Sequence, residues 1–124
     1  MVARRGILVT DHAVSRYLER AFPHHGDPHS YLYHHQQRLA ADPLAVKRLL
    51  AEEVRSARAM IEAGEETLIV ANRMGADGHL YKHYYLRFVT PQRIRVFIAV
   101  DEKLRKVYTI LTLDQFINTV ERRA

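Results

Sequence analysis

The chain has 124 residues, no cysteine and a formal net charge of +5. That length suits one domain over 1–124, with a core that needs no crosslink; the composition excludes disulfides, thiolate zinc sites and cysteine nucleophiles. No apolar run approaches the ~20 residues of a membrane span, and Ile7-Leu8-Val9 behind the basic Met1–Arg5 is too short for a signal peptide, so a cytoplasmic protein with no membrane role is expected.

The charge is unevenly placed. From His79 to Tyr108 there are seven Lys and Arg against two acids, an excess equal to that of the whole chain, whereas Pro43 to Gly78 is nearly balanced. A basic C-terminal region beside a neutral one suggests a surface that meets an anion.

Ile7-Leu8-Val9 reads as a short strand or an extended lead-in to the first helix. Over Thr10–Arg20, Ala13, Val14, Tyr17 and Leu18 recur at helical spacing, and either Thr10 or Asp11 can cap the start. His12, Arg16 and Arg20 follow at i, i+4, i+8 on another stripe. Pro23 ends this helix near Ala21-Phe22. A histidine-rich insertion over about 23–41 opens with a Gly/Asp/Pro loop, and Ser30–Ala41 reads as a second helix. Asp42-Pro43 is a cap followed by a first-turn proline. The apolar spacing then runs from Leu44 to Ile61 and stops at Gly64, the longest element and the slab for a sheet.

Beyond Gly64 the period becomes two. Strands are expected over Thr67–Arg73, His79–Val89, Arg93–Val100 and Arg105–Leu113, joined by short turns at Met74–Gly78, Thr90–Gln92 and Asp101–Lys103. On the last of them Val107, Thr109 and Leu111 alternate with Tyr108, Ile110 and Thr112. Asp114 is placed to cap a final helix through Val120. The sequence therefore predicts an α+β fold: N-terminal helices packed on a four-stranded antiparallel β-meander, with a short C-terminal helix.

Three groups of residues carry candidate chemistry. His24, His25, His29, His34 and His35 invite a metal, but Asp27 is the one carboxylate among them and the spacing fits no standard site, so no metal or other cofactor is expected. On the strand from His79, alternation puts Tyr81, His83, Tyr85 and Arg87 on one face. With Lys82 and Arg95 nearby, this forms a platform for stacking bases and holding phosphates, or else a core cover with a polar rim. In the first helix, His12 supplies a proton-transfer group near neutral pH, and Arg16 and Arg20 supply fixed positive charge. Gly-rich phosphate loops and Ser-His-Asp patterns are missing.

Thr10-x-His12-Ala13-x-x-Arg16-Tyr17-x-x-Arg20 resembles the opening helix of small proteins of the barnase–colicin–RelE class, in the group with a T-x-H-A-x-x-R-x-x-x-R helix. The helix ending at Gly64 and the strands that follow are similar in order. The resemblance implies a metal-independent endoribonuclease, toxin- or phage-type, that cleaves RNA by attack of the 2′-hydroxyl on the adjacent phosphorus. It implies that His12 transfers the proton and that Arg16, Arg20 and Arg87 stabilise developing charge, with a hydroxyl from Thr109 or Thr112. An antitoxin or host protein would then be a partner. The alternative is a non-enzymatic basic protein that docks on RNA or on a transcription or translation complex. A third reading, a metal-dependent enzyme using the histidine loop, predicts sensitivity to chelator.

Overall fold

A computed structural model describes residues 6–21 and 41–121, with side chains described through Asn118. The histidine cluster, the helix expected over Ser30–Ala41 (Ala41 apart) and the basic Met1–Arg5 lie outside the described residues. The described chain runs β1 (Leu8–Val9), α1 (Asp11–Arg20), α2 (Pro43–Glu62), β2 (Leu68–Met74), β3 (Leu80–Val89), β4 (Arg95–Val100), β5 (Lys106–Thr112) and α3 (Leu113–Glu121).

Both long helices start where their sequences direct. The Thr10 hydroxyl accepts from the Ala13 amide, and the Asp42 carboxylate accepts from the Leu44 amide ahead of Pro43. Each cap satisfies a first-turn donor that the helix itself leaves unpaired. The final helix is capped differently from expectation. Thr112 and Gln115 bond reciprocally, the Gln115 amide to the Thr112 hydroxyl and the Thr112 amide to the Gln115 side chain. This is a capping box, which leaves Asp114 as an acidic first-turn residue.

The sheet corrects the expected four-stranded meander. It has five strands in the order β1-β5-β4-β3-β2, and β1 lies parallel to β5 through Leu8↔Lys106 and Val9↔Val107. The remaining neighbours are antiparallel. The cause is the lead-in to α1: Leu8 N–H donates to the Arg105 carbonyl and Thr10 N–H to the Val107 carbonyl, so the segment before the helix becomes an edge strand.

One face of the sheet carries Leu68, Tyr84, Leu86, Phe88, Val96, Ile98, Val100, Val107 and Ile110, and α1 and α2 cover it. Val14 and Tyr17 from α1 join Val46, Leu50, Ala51, Val54 and Ala57 from α2 in the core. Each fully buried aliphatic side chain contributes about 1.5–3 kcal/mol, and Leu50, Val54, Val96, Ile98, Val107 and Ile110 are all of that kind. Burial pushes the Tyr17 phenol up to about 12.

The reverse face carries Ile69, Ala71 and Arg73 from β2, Tyr81, His83, Tyr85 and Arg87 from β3, and Phe97 and Ala99 from β4. Part of it is roofed by α3, whose Phe116 stacks on Phe97 with centroids 3.9 Å apart and meets Tyr85 edge-on at 5.3 Å. Residue alternation on β5 also departs from expectation. Ala99 pairs with Thr109 but Val100 with Val107, a bulge that leaves Tyr108 as the extra residue. Val107 thus joins Ile110 in the core instead of sharing a face with Thr109.

The β4–β5 turn has its own anchor. Leu104 is buried at a positive φ of 58°, a backbone region uncommon for a branched side chain. Its carbonyl accepts from Arg58 of α2, and its amide donates to Asp101.

Candidate nucleic-acid interface

A concavity bearing several candidate residues arises from unequal strand lengths. β4 pairs with β3 only as far as Tyr84↔Val100, whereas β3 and β2 continue together to Met74↔Leu80. The β2–β3 hairpin therefore projects beyond the β4–β5 turn. Along Leu80–His83, the side of β3 that would face β4 has no strand partner among the described residues. The notch so formed has a volume of about 560 Å³ and is lined by Tyr81, Lys82 and His83 of β3, Asp101 and Glu102 of the turn, and Tyr108 of the bulge, with Tyr84 and Val100 behind.

Two tyrosines stand on its walls, Tyr81 at 48% and Tyr108 at 45% exposure. Neither ring is left loose. The Tyr81 hydroxyl donates to the Asp77 carboxylate, which also accepts from the His79 amide. This arrangement holds the Asp77 carboxyl below its usual range and the Tyr81 phenol above its own. The Tyr81 ring lies against Gly75, where a Cβ would come within 2.6 Å of Cε2. On the other wall, the Lys106 ammonium sits 5.0 Å from the centre of the Tyr108 ring, a cation–π contact that orients it. Burial, and then the charge of Arg73, push the His83 imidazole below its ordinary value, which favours the neutral form at pH 7.

The five residues expected to bind RNA divide accordingly. Tyr81, Lys82 and His83 meet in the notch. Tyr85 is buried, with its phenol pushed up by desolvation, and serves as a core side chain under Phe116. Arg95 is exposed at the far end of β4, opposite Val89. Tyr108 also lines the notch but escapes strict alternation, because the bulge takes it out of the regular β5 register.

The expected catalytic residues are spread over the molecule. His12 is exposed on α1, and its imidazole has no hydrogen bond or ion pair among the described residues. Arg16 donates to Glu19 at 2.9 Å, and the Arg20 Nε lies 3.2 Å from the same carboxylate. Arg16, first by its hydrogen bond, and then Arg20 hold the Glu19 carboxyl below its usual range. Arg20 also turns inward, its Nη1 donating to the Ile110 carbonyl at 2.7 Å. That carbonyl lies on β5 beyond the stretch covered by β1, so Arg20 closes a sheet edge that no strand among the described residues covers.

Arg87 projects from the reverse face opposite Phe97, while α1 packs on the helix-covered face, so the sheet stands between Arg87 and His12. Arg87 is also six residues along β3 from Tyr81, about 20 Å at the rise of a strand. Thr109 lies on the reverse face opposite Ala99, and Thr112 is committed to the cap of α3. What the structure does join is the start of α1 to the notch: the Thr10 hydroxyl donates to the Tyr108 carbonyl at 3.1 Å.

Among the described residues, no three His, Asp or Glu side chains are grouped to hold a metal ion. No described helix is long and apolar enough to cross a membrane. Comparison with protein-family models, with characterised proteins and with solved structures finds no match to this chain.

Proposed function

We propose that this protein binds single-stranded RNA in the notch between the β2–β3 hairpin and the β4–β5 turn. The observation that carries the proposal is the pair of half-exposed, pre-oriented tyrosines, Tyr81 and Tyr108, beside Lys82 and His83. Exposed aromatic rings offer stacking surfaces worth about 1–3 kcal/mol per base, and neighbouring cations neutralise phosphates. A base must be unstacked to enter such a notch, which favours single strands over duplexes. The chain's excess of positive charge, concentrated between His79 and Tyr108, adds long-range attraction. The choice of RNA over DNA comes from the resemblance of the α1 sequence; the notch offers stacking and charge to either.

The test is fluorescence anisotropy with a labelled single-stranded oligoribonucleotide, the matching DNA and the RNA duplex. Tyr81→Ala and Tyr108→Ala are each expected to weaken RNA binding by roughly 5- to 100-fold, and added salt weakens it in the wild type. Equal affinity of wild type and both variants would overturn the assignment.

A second reading, endonucleolytic cleavage with His12 as proton-transfer group, is favoured by the Thr10–Tyr108 hydrogen bond, which ties the start of α1 to the wall of the notch. It dispenses with Arg87, on the other face of the sheet. Incubating the same RNA with wild type and His12→Ala, with and without chelator, separates the readings. Cleavage lost in the variant supports an enzyme, and intact RNA under all conditions leaves a binding module.

A further inference from the structure

We infer that a second cavity, beneath the C-terminal half of α2, binds a small aliphatic primary ammonium ion, with Glu53 and the Thr67 hydroxyl holding its head. β2 begins opposite Leu86, so the Glu66-Thr67 entry to β2 meets Leu86 and Arg87 of β3 at a corner of the sheet. From α2 come Glu53, Ala57 and Met60, one stripe at i, i+4, i+7. These residues line a cavity of about 270 Å³ that shares no lining residue with the notch and stands independently of RNA.

Two polar groups of the cavity lining lack partners. The Thr67 hydroxyl is cut off from solvent and has no hydrogen bond, a condition that costs stability unless something fills it. Glu53 is half-buried, with neither hydrogen bond nor ion pair among the described residues. Burial pushes its carboxyl above the usual range, and no neighbouring cation offsets the effect. Arg87 lines the same cavity but forms an ion pair with neither Glu53 nor Glu66.

An ammonium group answers both deficits. It carries one positive charge and three N–H donors, of which the Glu53 carboxylate and the Thr67 hydroxyl accept two. A neutral ligand would leave the Glu53 charge uncompensated, and an anion would meet two carboxylates. Glu53, Glu66 and Arg87 together carry a charge of −1, which one ammonium neutralises. A metal ion is disfavoured, because no three His, Asp or Glu side chains are grouped among the described residues. Ala57, Met60 and Leu86 offer apolar surface to a short aliphatic body. Met60 is exposed and unbranched, so it is the part of the wall that yields to admit the head to Thr67.

The experiment titrates the protein at matched pH with isoamylamine, leucine and isoamyl alcohol, which share a branched body and differ in the head. Amide shifts are followed in proton–nitrogen correlation spectra. Isoamylamine is expected to bind with a Kd of about 1 mM or tighter. It should move the amides of Glu53, Met60, Thr67 and Arg87 and leave those of Lys82 and His83 in place. Isoamyl alcohol, uncharged, should bind at least about 10-fold more weakly. Leucine binding tighter than isoamylamine supports the site with an amino acid as its ligand, the carboxylate on Arg87; weaker binding supports it with a simple amine. Glu53→Gln should weaken isoamylamine by about 10-fold or more, and Thr67→Val by about 3- to 10-fold. Thr67→Val should also keep or raise Tm, because its hydroxyl has no bond to lose; a lowered Tm overturns the role of Thr67. Equal affinity for amine and alcohol, unchanged amine affinity in Glu53→Gln, or no shift up to about 20 mM amine overturns the site.

Discussion

Replacing Arg20 with methionine separates two roles for one residue. Sequence pattern places Arg20 on a phosphate-facing stripe, whereas the structure uses it to close the edge of β5 beyond β1. Methionine keeps an apolar stem of similar length and removes the donor. A hydrogen bond involving a charged group contributes about 1.5–3 kcal/mol, and the one to Ile110 is short, at 2.7 Å. Two factors reduce the loss. The side chain keeps 18% of its exposure, so water can reach part of the vacated site. The accompanying contact with Glu19 is a surface pair, worth no more than about 1 kcal/mol. The net cost is therefore about 1–2 kcal/mol, which for a domain of this size lowers Tm by roughly 4–8 °C. Thermal unfolding followed by circular dichroism measures that shift, and a parallel RNA titration should show affinity within about twofold of wild type. An unchanged Tm together with a tenfold loss of RNA affinity would refute the edge role and return Arg20 to the phosphate.

Thr90 is buried, and its hydroxyl donates to the Ala21 carbonyl at 3.4 Å and accepts from the Ile94 amide at 3.1 Å. Thr90→Val should lower stability by about 1–3 kcal/mol in urea titrations, and a change within about 0.5 kcal/mol would show that the bridge contributes nothing. For His83, burial and then Arg73 depress the pKa below its ordinary 6.5. The unfolded chain therefore takes up the proton first as pH falls, and stability declines from about pH 6.5 through the lower folded-state pKa. His83→Gln removes this contribution, so its Tm should drop less than that of the wild type between pH 7 and pH 5; identical drops would place the titration elsewhere. Gly75→Ala forces the Tyr81 ring away from a Cβ that would otherwise lie 2.6 Å from it. RNA affinity should fall several-fold while Tm changes little, and retained affinity would show that the ring's seat is immaterial.

Much of the framework is legible in local pattern. Asp42-Pro43 marks the start of α2, the apolar spacing from Val46 to Ala57 identifies its buried side, and alternation assigns both faces of β3 and β4. What escapes is non-local or irregular. β1 is two residues long and its partner is nearly a hundred positions away, so no window of sequence contains the pairing. The bulge at Tyr108 carries no glycine to announce it, and it shifts Val107 to the other face of a strand read by strict alternation. Two side chains take roles that their spacing does not single out. Thr112-x-x-Gln115 is a capping box beside an equally plausible Asp114 cap. Arg20 lies on the same stripe as His12 and Arg16, and the spacing gives no sign that its side chain also donates to a β5 carbonyl.

The partnership of α1 with β5 also dictates an order of events during synthesis. α1 leaves the ribosome some ninety residues ahead of its sheet partners, Val107 and Ile110. Until they emerge, Val14 and Tyr17 have no β5 to rest on, while the β2–β3 hairpin and its junction with β4 close over short loops. Loop-closure entropy makes such a long-range union late and comparatively slow. A nascent chain halted just after Val100 should therefore hold α1 undocked and open to proteases, and release of the next dozen residues should protect it.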